Sequence, residues 1–186
     1  MRAPLIVVLA GSECLVGEGD EGTDDIESET FWCFDRLMQI VGSNFDADQT
    51  GMHVKLRHLS NMLQVLDPAL HDHLANADCL NFFFAFRWVL CLFKRELRYG
   101  DVLRFWDALW SGPRDDFVLF CCVAVLRWHK RDIISNGLDF DEMLKLVQGI
   151  AGSIDVSKLL VDASALCFSE RAAEIALPVL PPRLER

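Results

Sequence analysis

An all-α fold, an array of about eight helices, is predicted by three features of this 186-residue sequence. Apolar residues recur at helical spacing through most of the chain. Asp, Ser, Gly and Pro punctuate those segments where helices start and stop. No stretch reads as a convincing strand. At 52% hydrophobic and 25% charged residues, the composition suits a single globular domain with a real core.

Ala3–Leu9 is apolar on every side and reads as a helix, with Pro4 tolerable in its first turn. MRAPLIVVLAG faintly resembles a secretory signal, but its apolar run is at the short limit of that pattern. Residues 17–27 read as an acidic loop, solvated over Gly17–Thr23 because self-repulsion and Gly11, Gly17, Gly19 and Gly22 disfavour packing. A plain linker is preferred there to an acidic docking site. A helix over 28–41 follows, with Ser28 as its cap and Phe31, Phe34, Leu37, Met38 and Val41 on one face.

The next helix, 51–66, carries Leu56, Leu59, Leu63 and Leu66 as a stripe, with Lys55, Arg57, Asn61 and Gln64 elsewhere. Asp67-Pro68 ends it, since the residue before proline avoids helical angles, and a short helix 69–76 starts from Pro68. Leu80–Leu97 is apolar almost all round and predicts a central buried helix. Asp101 caps a helix to Trp110, which Gly112-Pro113 stops. A second central helix runs from Asp115 to Ile134 around FVLFCCVAVL, and Asn136-Gly137 closes it. Asp139 and Glu142 have capping-box spacing ahead of Phe140, Met143, Leu144, Val147 and Ile150. Asp155 caps a last helix with Val156, Leu159, Leu160 and Ala163 facing inward. The tail, residues 169–186, ends in LPVLPPRLER and is expected to be extended and loosely held.

The formal charge is −10, and seven of the 28 acidic residues crowd between Glu18 and Glu29. The remaining 21 face 18 basic residues, a balance of only −3. Nucleic acid is excluded as the main partner, because phosphate recognition needs a concentrated basic surface. The seven cysteines show no framework spacing and no C-x-x-C pair. Cys91, Cys121, Cys122 and Cys167 lie inside apolar runs, as buried thiols in a reducing compartment do. No transmembrane helix is expected: FFFAFRWVLCLF is interrupted by Arg87 and falls well short of the ~20 residues that span a bilayer.

Most chemistry can be set aside. His71 and His73 diverge on a helix, His53 and His58 are no better spaced, and no zinc pattern occurs, so no metal and no cofactor are expected. There is no P-loop and no G-x-S-x-G elbow. The unusual feature is charge within apolar segments. Arg87 interrupts the most apolar stretch and must find a carboxylate, a carbonyl or solvent. Lys94, Arg95 and Glu96 follow at the expected end of that helix. A structural ion pair is the simpler reading of Arg87 and a partner contact the sharper one.

FFFAFRWVLCLFKREL, followed five residues on by LRFWDALW, resembles a signature block of TBC domains, the fold of Rab GTPase-activating proteins. ETFWCFDRLMQIVGSNF and GMHVKLRHLSNMLQVLDPALHDHL resemble the helices preceding that block, and DFVLFCCVAVLRWHKRDIISNGLDFDEMLKLVQ the pair following it. The resemblance covers about Ala3–Leu166, with residues 1–16 as a remnant helix of the domain and 28–168 as its C-terminal helical region. It implies stimulation of GTP hydrolysis on a Rab-type small GTPase in vesicle trafficking, in the cytoplasm or peripherally on endomembranes through partners.

The family is similar throughout in using an arginine from Ile-x-x-Asp-x-x-Arg and a glutamine from Tyr-x-Gln. Neither motif is present here; the only tyrosine, Tyr99, is followed by Gly100 and Asp101. Because Ala3-Pro4-Leu5 looks like the helix start that follows Tyr-x-Gln, the glutamine would fall just before Met1 and the arginine further upstream. The expectation is an inactive, truncated representative of the family with no catalytic residue of its own. Arg87, Lys94 and Arg95 are carried over as framework or Rab-side residues. The alternatives are a non-catalytic Rab-binding or scaffold module derived from a TBC domain and, further off, an unrelated helical adaptor.

Overall fold

The computed structural model describes residues 22–112 and 114–178. The Ala3–Leu9 helix, the signal-like run and the end of the tail lie outside them. Among the described residues are α1 Gly22–Val41, α2 Thr50–Leu66, α3 Pro68–Asn76, α4 Phe86–Leu90, α5 Tyr99–Trp110, α6 Phe117–Trp128, α7 Lys130–Asn136, α8 Phe140–Gly149 and α9 Val156–Cys167. Short 3-10 turns lie at Gly42–Phe45, Phe83–Ala85 and Glu170–Glu174. The fold class is all-α, as predicted.

Several boundaries follow from side chains the sequence displays. Asp67 ends α2 and turns to cap α3, its carboxylate accepting from the Leu70 amide. Asp139 and Glu142 form both halves of a capping box on α8. Asp155 accepts from the Ser157 and Lys158 amides at the start of α9. Gly137, at φ +61°, ends α7 in the left-handed region that glycine tolerates.

Five expectations are corrected. α1 begins at Gly22, so residues 22–27 of the anticipated acidic loop are helical and Ser28 is internal. The helix extends backwards over Asp24, Asp25 and Glu27, residue types that suit the first turns of a helix. Leu80–Leu97 is not one helix. A left-handed Phe82, the 3-10 turn, the five-residue α4 and a bend with left-handed Leu92 and Phe93 divide it. The Asp115–Ile134 helix breaks at His129, where Trp128 turns to Asp162 and Lys130 to Asp67. In α5, Asp101 lies in the first turn and Arg98 is the flanking residue. The tail is tethered where it starts: Ala172 and Ile175 are buried, and their carbonyls accept from Arg114.

α6 is the axis of the core. Every residue from Phe117 to Leu126 is buried, and the helix packs chiefly on α9 and α2. Each fully buried large apolar side chain contributes about 1.5–3 kcal/mol, so this helix needs no polar face. Cys121 and Cys122 fill small gaps in it, and burial pushes both thiols well above their ordinary range. Around the axis, Leu56, Leu59, Leu63 and Leu66 of α2 are buried as their spacing implies, joined by Met52 and Met62.

Gly51 lets the 3-10 turn at Gly42–Phe45 lie directly on α2. A Cβ there would strike the Ser43 carbonyl and lie 2.8 Å from Ser43 Cβ. Gly51→Ala is therefore expected to destabilise by about 1–3 kcal/mol, although alanine is the better helix former. Urea unfolding should show a lower midpoint with an unchanged m-value. A midpoint equal to that of the parent would show that this approach is not tight.

Candidate partner-binding face and its buried frame

The bend after α4 determines where the charges of this region sit. Phe93 N donates to Trp88 O and Glu96 N to Phe93 O, reversing the chain between Cys91 and Leu97. Two successive non-glycine residues at positive φ cost on the order of 1 kcal/mol or more each. That cost is offset locally. The Phe93 ring is fully buried between Trp88 and Phe105, with ring centroids at 5.4 and 5.3 Å. Trp106 Nε1 donates to Leu92 O at 3.0 Å.

The reversal brings Arg87 onto Glu96. The guanidinium donates through Nε to Oε1 at 2.6 Å and through a terminal nitrogen to Oε2 at 2.9 Å. The Glu96 side chain has no exposure, and that of Arg87 keeps about a third. The pairing strengthens the hold of the guanidinium on its proton. Glu96 also serves through its backbone, its carbonyl accepting from Gly152 N at 2.7 Å and tying the bend to the α8–α9 connection. Lys94, half-buried, and Arg95, exposed, lie between the clamped residues. Neither has an ion pair among the described residues. Exposed Arg98 follows, giving a short basic edge whose charges are available to an acidic surface.

A second buried cluster went unnoticed in the sequence. His58 of α2 is bonded to Asp116 Oδ2 at 2.9 Å, and Arg114 grips both Asp116 oxygens at 2.8 Å. Burial pushes the Asp116 carboxyl up, but hydrogen bonds from His58 and Arg114 and their charge outweigh it and hold the group below its usual value. Arg114 reaches on to the Ala172 and Ile175 carbonyls and sits 5.4 Å from the centre of the Phe120 ring. The cluster pins α2, the start of α6 and the tail together. Its signal was weak: Asp115-Asp116 reads as an ordinary helix start, and His58 lies beside the leucine stripe. Among the described residues no group of three His, Cys, Asp or Glu side chains could hold a metal ion.

Comparison with known proteins places this geometry. The family model of the Rab-GTPase-TBC domain matches residues 20–134. GTPase-activating protein GYP7 of Yarrowia lipolytica is 40% identical over 142 residues, which are 76% of this chain and 20% of that protein. TBC1 domain family member 17 of Homo sapiens is 37% identical over 141 residues, 75% of this chain and 22% of that protein. The crystal structure of the Ypt/Rab-GAP domain of Gyp1p superposes with a TM-score of 0.75 over 93% of this chain and 58% of that one, at 24% identity, a likeness of fold. The protein belongs to the Rab-GTPase-TBC domain family. It spans about a fifth of the length of these curated relatives.

Arg87→Ala strands a buried carboxylate and should cost about 3–5 kcal/mol in urea unfolding, whereas replacing Arg87 and Glu96 together by methionine should restore most of it. A loss below about 1 kcal/mol in the single variant would show that the pair frames nothing. Asp116 has a folded value below its ordinary 3.8. Its contribution is therefore complete above that value and is lost as pH falls through the lower folded one. Asp116→Asn should be less stable than the parent at neutral pH, and the gap between them should narrow as urea midpoints are followed from about pH 5 towards pH 2. A constant gap would contradict the assignment.

Proposed function

We propose that this protein acts on the Rab side of GTPase regulation, docking a Rab-type small GTPase through its TBC surface. The observation that carries this reading is membership of the Rab-GTPase-TBC domain family together with 40% identity to a protein named as a GTPase-activating protein. Arg87 serves as framework, holding the bend through Glu96, while Lys94 and Arg95 are offered to the GTPase. Association with endomembranes would come through partners; no helix of the described residues is long and apolar enough to cross a membrane.

These 186 residues are not expected to accelerate hydrolysis themselves. An activating surface stabilises charge on the transferred phosphoryl group with a guanidinium and orients the attacking water, an effect of about 10³–10⁵ in rate for the arginine alone. The sequence holds neither Ile-x-x-Asp-x-x-Arg nor Tyr-x-Gln. Arg87, the arginine that interrupts FFFAFRWVLCLF, is clamped by Glu96. The module reading, binding without catalysis, follows for this chain.

The expected outcome is measurable with a panel of purified GTP-loaded Rab proteins. At least one should bind the protein, and phosphate release should stay at the unaided rate. Lys94→Glu with Arg95→Glu should weaken binding about tenfold or more through like-charge repulsion, with unchanged thermal unfolding. Binding by no member of the panel would overturn the docking proposal. Turnover well above the unaided rate would overturn the non-catalytic one.

A further inference from the structure

A cleft of about 360 Å³ opens where the bend, α5, the start of α6 and the tail meet. Its apolar lining comes chiefly from Leu92, Leu109, Trp110, Phe117 and Leu177. The polar groups on its wall are already answered. Lys55 Nζ donates to Asn44 Oδ1, Asp116 is held by Arg114 and His58, and Asp115 is exposed to solvent. What remains unmet is apolar: Trp110 and Leu177 are each about half exposed. A cleft of this size and character suits an apolar occupant.

The chain delivers such an occupant. Arg114 donates to the carbonyls of Ala172 and Ile175, which anchors the tail beside the start of α6. Ile175 is buried and extended, and Leu177 and Pro178, where the described residues end, already form part of the cleft lining. The next two residues are Val179 and Leu180, both apolar. A chain advances at most about 3.3–3.6 Å per residue, so Leu180 starts within ~7 Å of that wall. Leu177 and Leu180 each precede a proline, which favours extended backbone, and Pro178, Pro181 and Pro182 carry their own fixed φ. A stiff segment that arrives already tethered has little freedom left to lose on docking.

We propose that the cleft is the docking site of the chain's own residues 179–182, an intramolecular strap whose Val179 and Leu180 side chains seat against Leu109, Trp110 and Phe117. The strap withdraws Trp110 from water and fastens the end of α5 to the start of α6. It continues the hold that Arg114 begins on the tail. The site is independent of the basic edge at Lys94 and Arg95, so it stands or falls separately from Rab docking.

The test places the photo-cross-linking residue benzoylphenylalanine at position 180 of the whole chain and irradiates it in dilute solution. Peptide mapping should find a cross-link within one chain to Leu92 or to the stretch from Leu109 to Val118. Adding Val179→Asp, which would bury an unpaired carboxylate, should lower its yield about tenfold or more. Cross-links elsewhere, cross-links only between copies, no cross-link, or a yield that Val179→Asp leaves unchanged would each overturn the proposal. A second readout needs no unnatural residue in the tail. In the chain labelled with 5-fluorotryptophan, the Trp110 fluorine signal, assigned through Trp110→Phe, should gain solvent-isotope shift when Val179→Asp and Leu180→Asp are introduced together. The Trp128 signal should stay where it is. A Trp110 signal indifferent to the double variant would show that the strap does not cover it.

Discussion

A carboxylate with no access to water, Glu96, fixes the middle of this molecule. An isolated ionised carboxylate at such depth would be untenable, so the chain around it must supply a cation in one geometry. Arg87 does so with both arms, and a planar fork on a planar carboxylate tolerates little rotation. The bend from Cys91 to Leu97 is thus specified by direction as well as by burial. Apolar packing alone would accept several ways of folding FFFAFRWVLCLF; the Arg87–Glu96 pair accepts one. Through its carbonyl, Glu96 then sets where the α8–α9 connection meets the bend.

The same division of labour recurs at the start of α6. Ten consecutive buried residues supply cohesion without direction. Direction comes from Asp116, whose two oxygens bind Arg114 and His58 and whose arginine goes on to hold two tail carbonyls. Asp67 plays a third such part, capping α3 while accepting from Lys130 of α7. Three buried carboxylates, each at a junction between elements, align an array whose helices would otherwise slide on smooth apolar faces.

How much of this the sequence discloses depends on the range of the interaction. Local rules succeed: the capping box of Asp139 and Glu142, the Asp67-Pro68 stop and the Gly137 exit are all decided within four residues and are found where the spacing puts them. The break in Leu80–Leu97 was not legible. Periodicity reports which side chains are apolar, and a run apolar on all sides looks identical whether it continues or folds back. Positive φ at Leu92 and Phe93 has no residue signature, because glycine is absent and the cost is met by Trp106, Phe105 and Arg87 from outside the bend. Arg87 announced that it needed a partner; that the partner was Glu96, nine residues on in the same segment, required the fold.

Lys55 shows what helical spacing leaves undecided. It lies off the leucine stripe of α2, yet it follows Met52 by three positions and precedes Leu59 by four, which puts it at the margin of the buried face. What decides its surroundings is the 3-10 turn at Gly42–Phe45, laid against α2 by the absence of a side chain at Gly51. That turn brings the Asn44 side-chain oxygen to the amine. A glycine whose role is steric thus decides the electrostatics of a lysine four residues later. Because the close approach at Gly51 seats the turn that carries Asn44, loosening it would take from the Lys55 amine its one hydrogen-bond partner among the described residues.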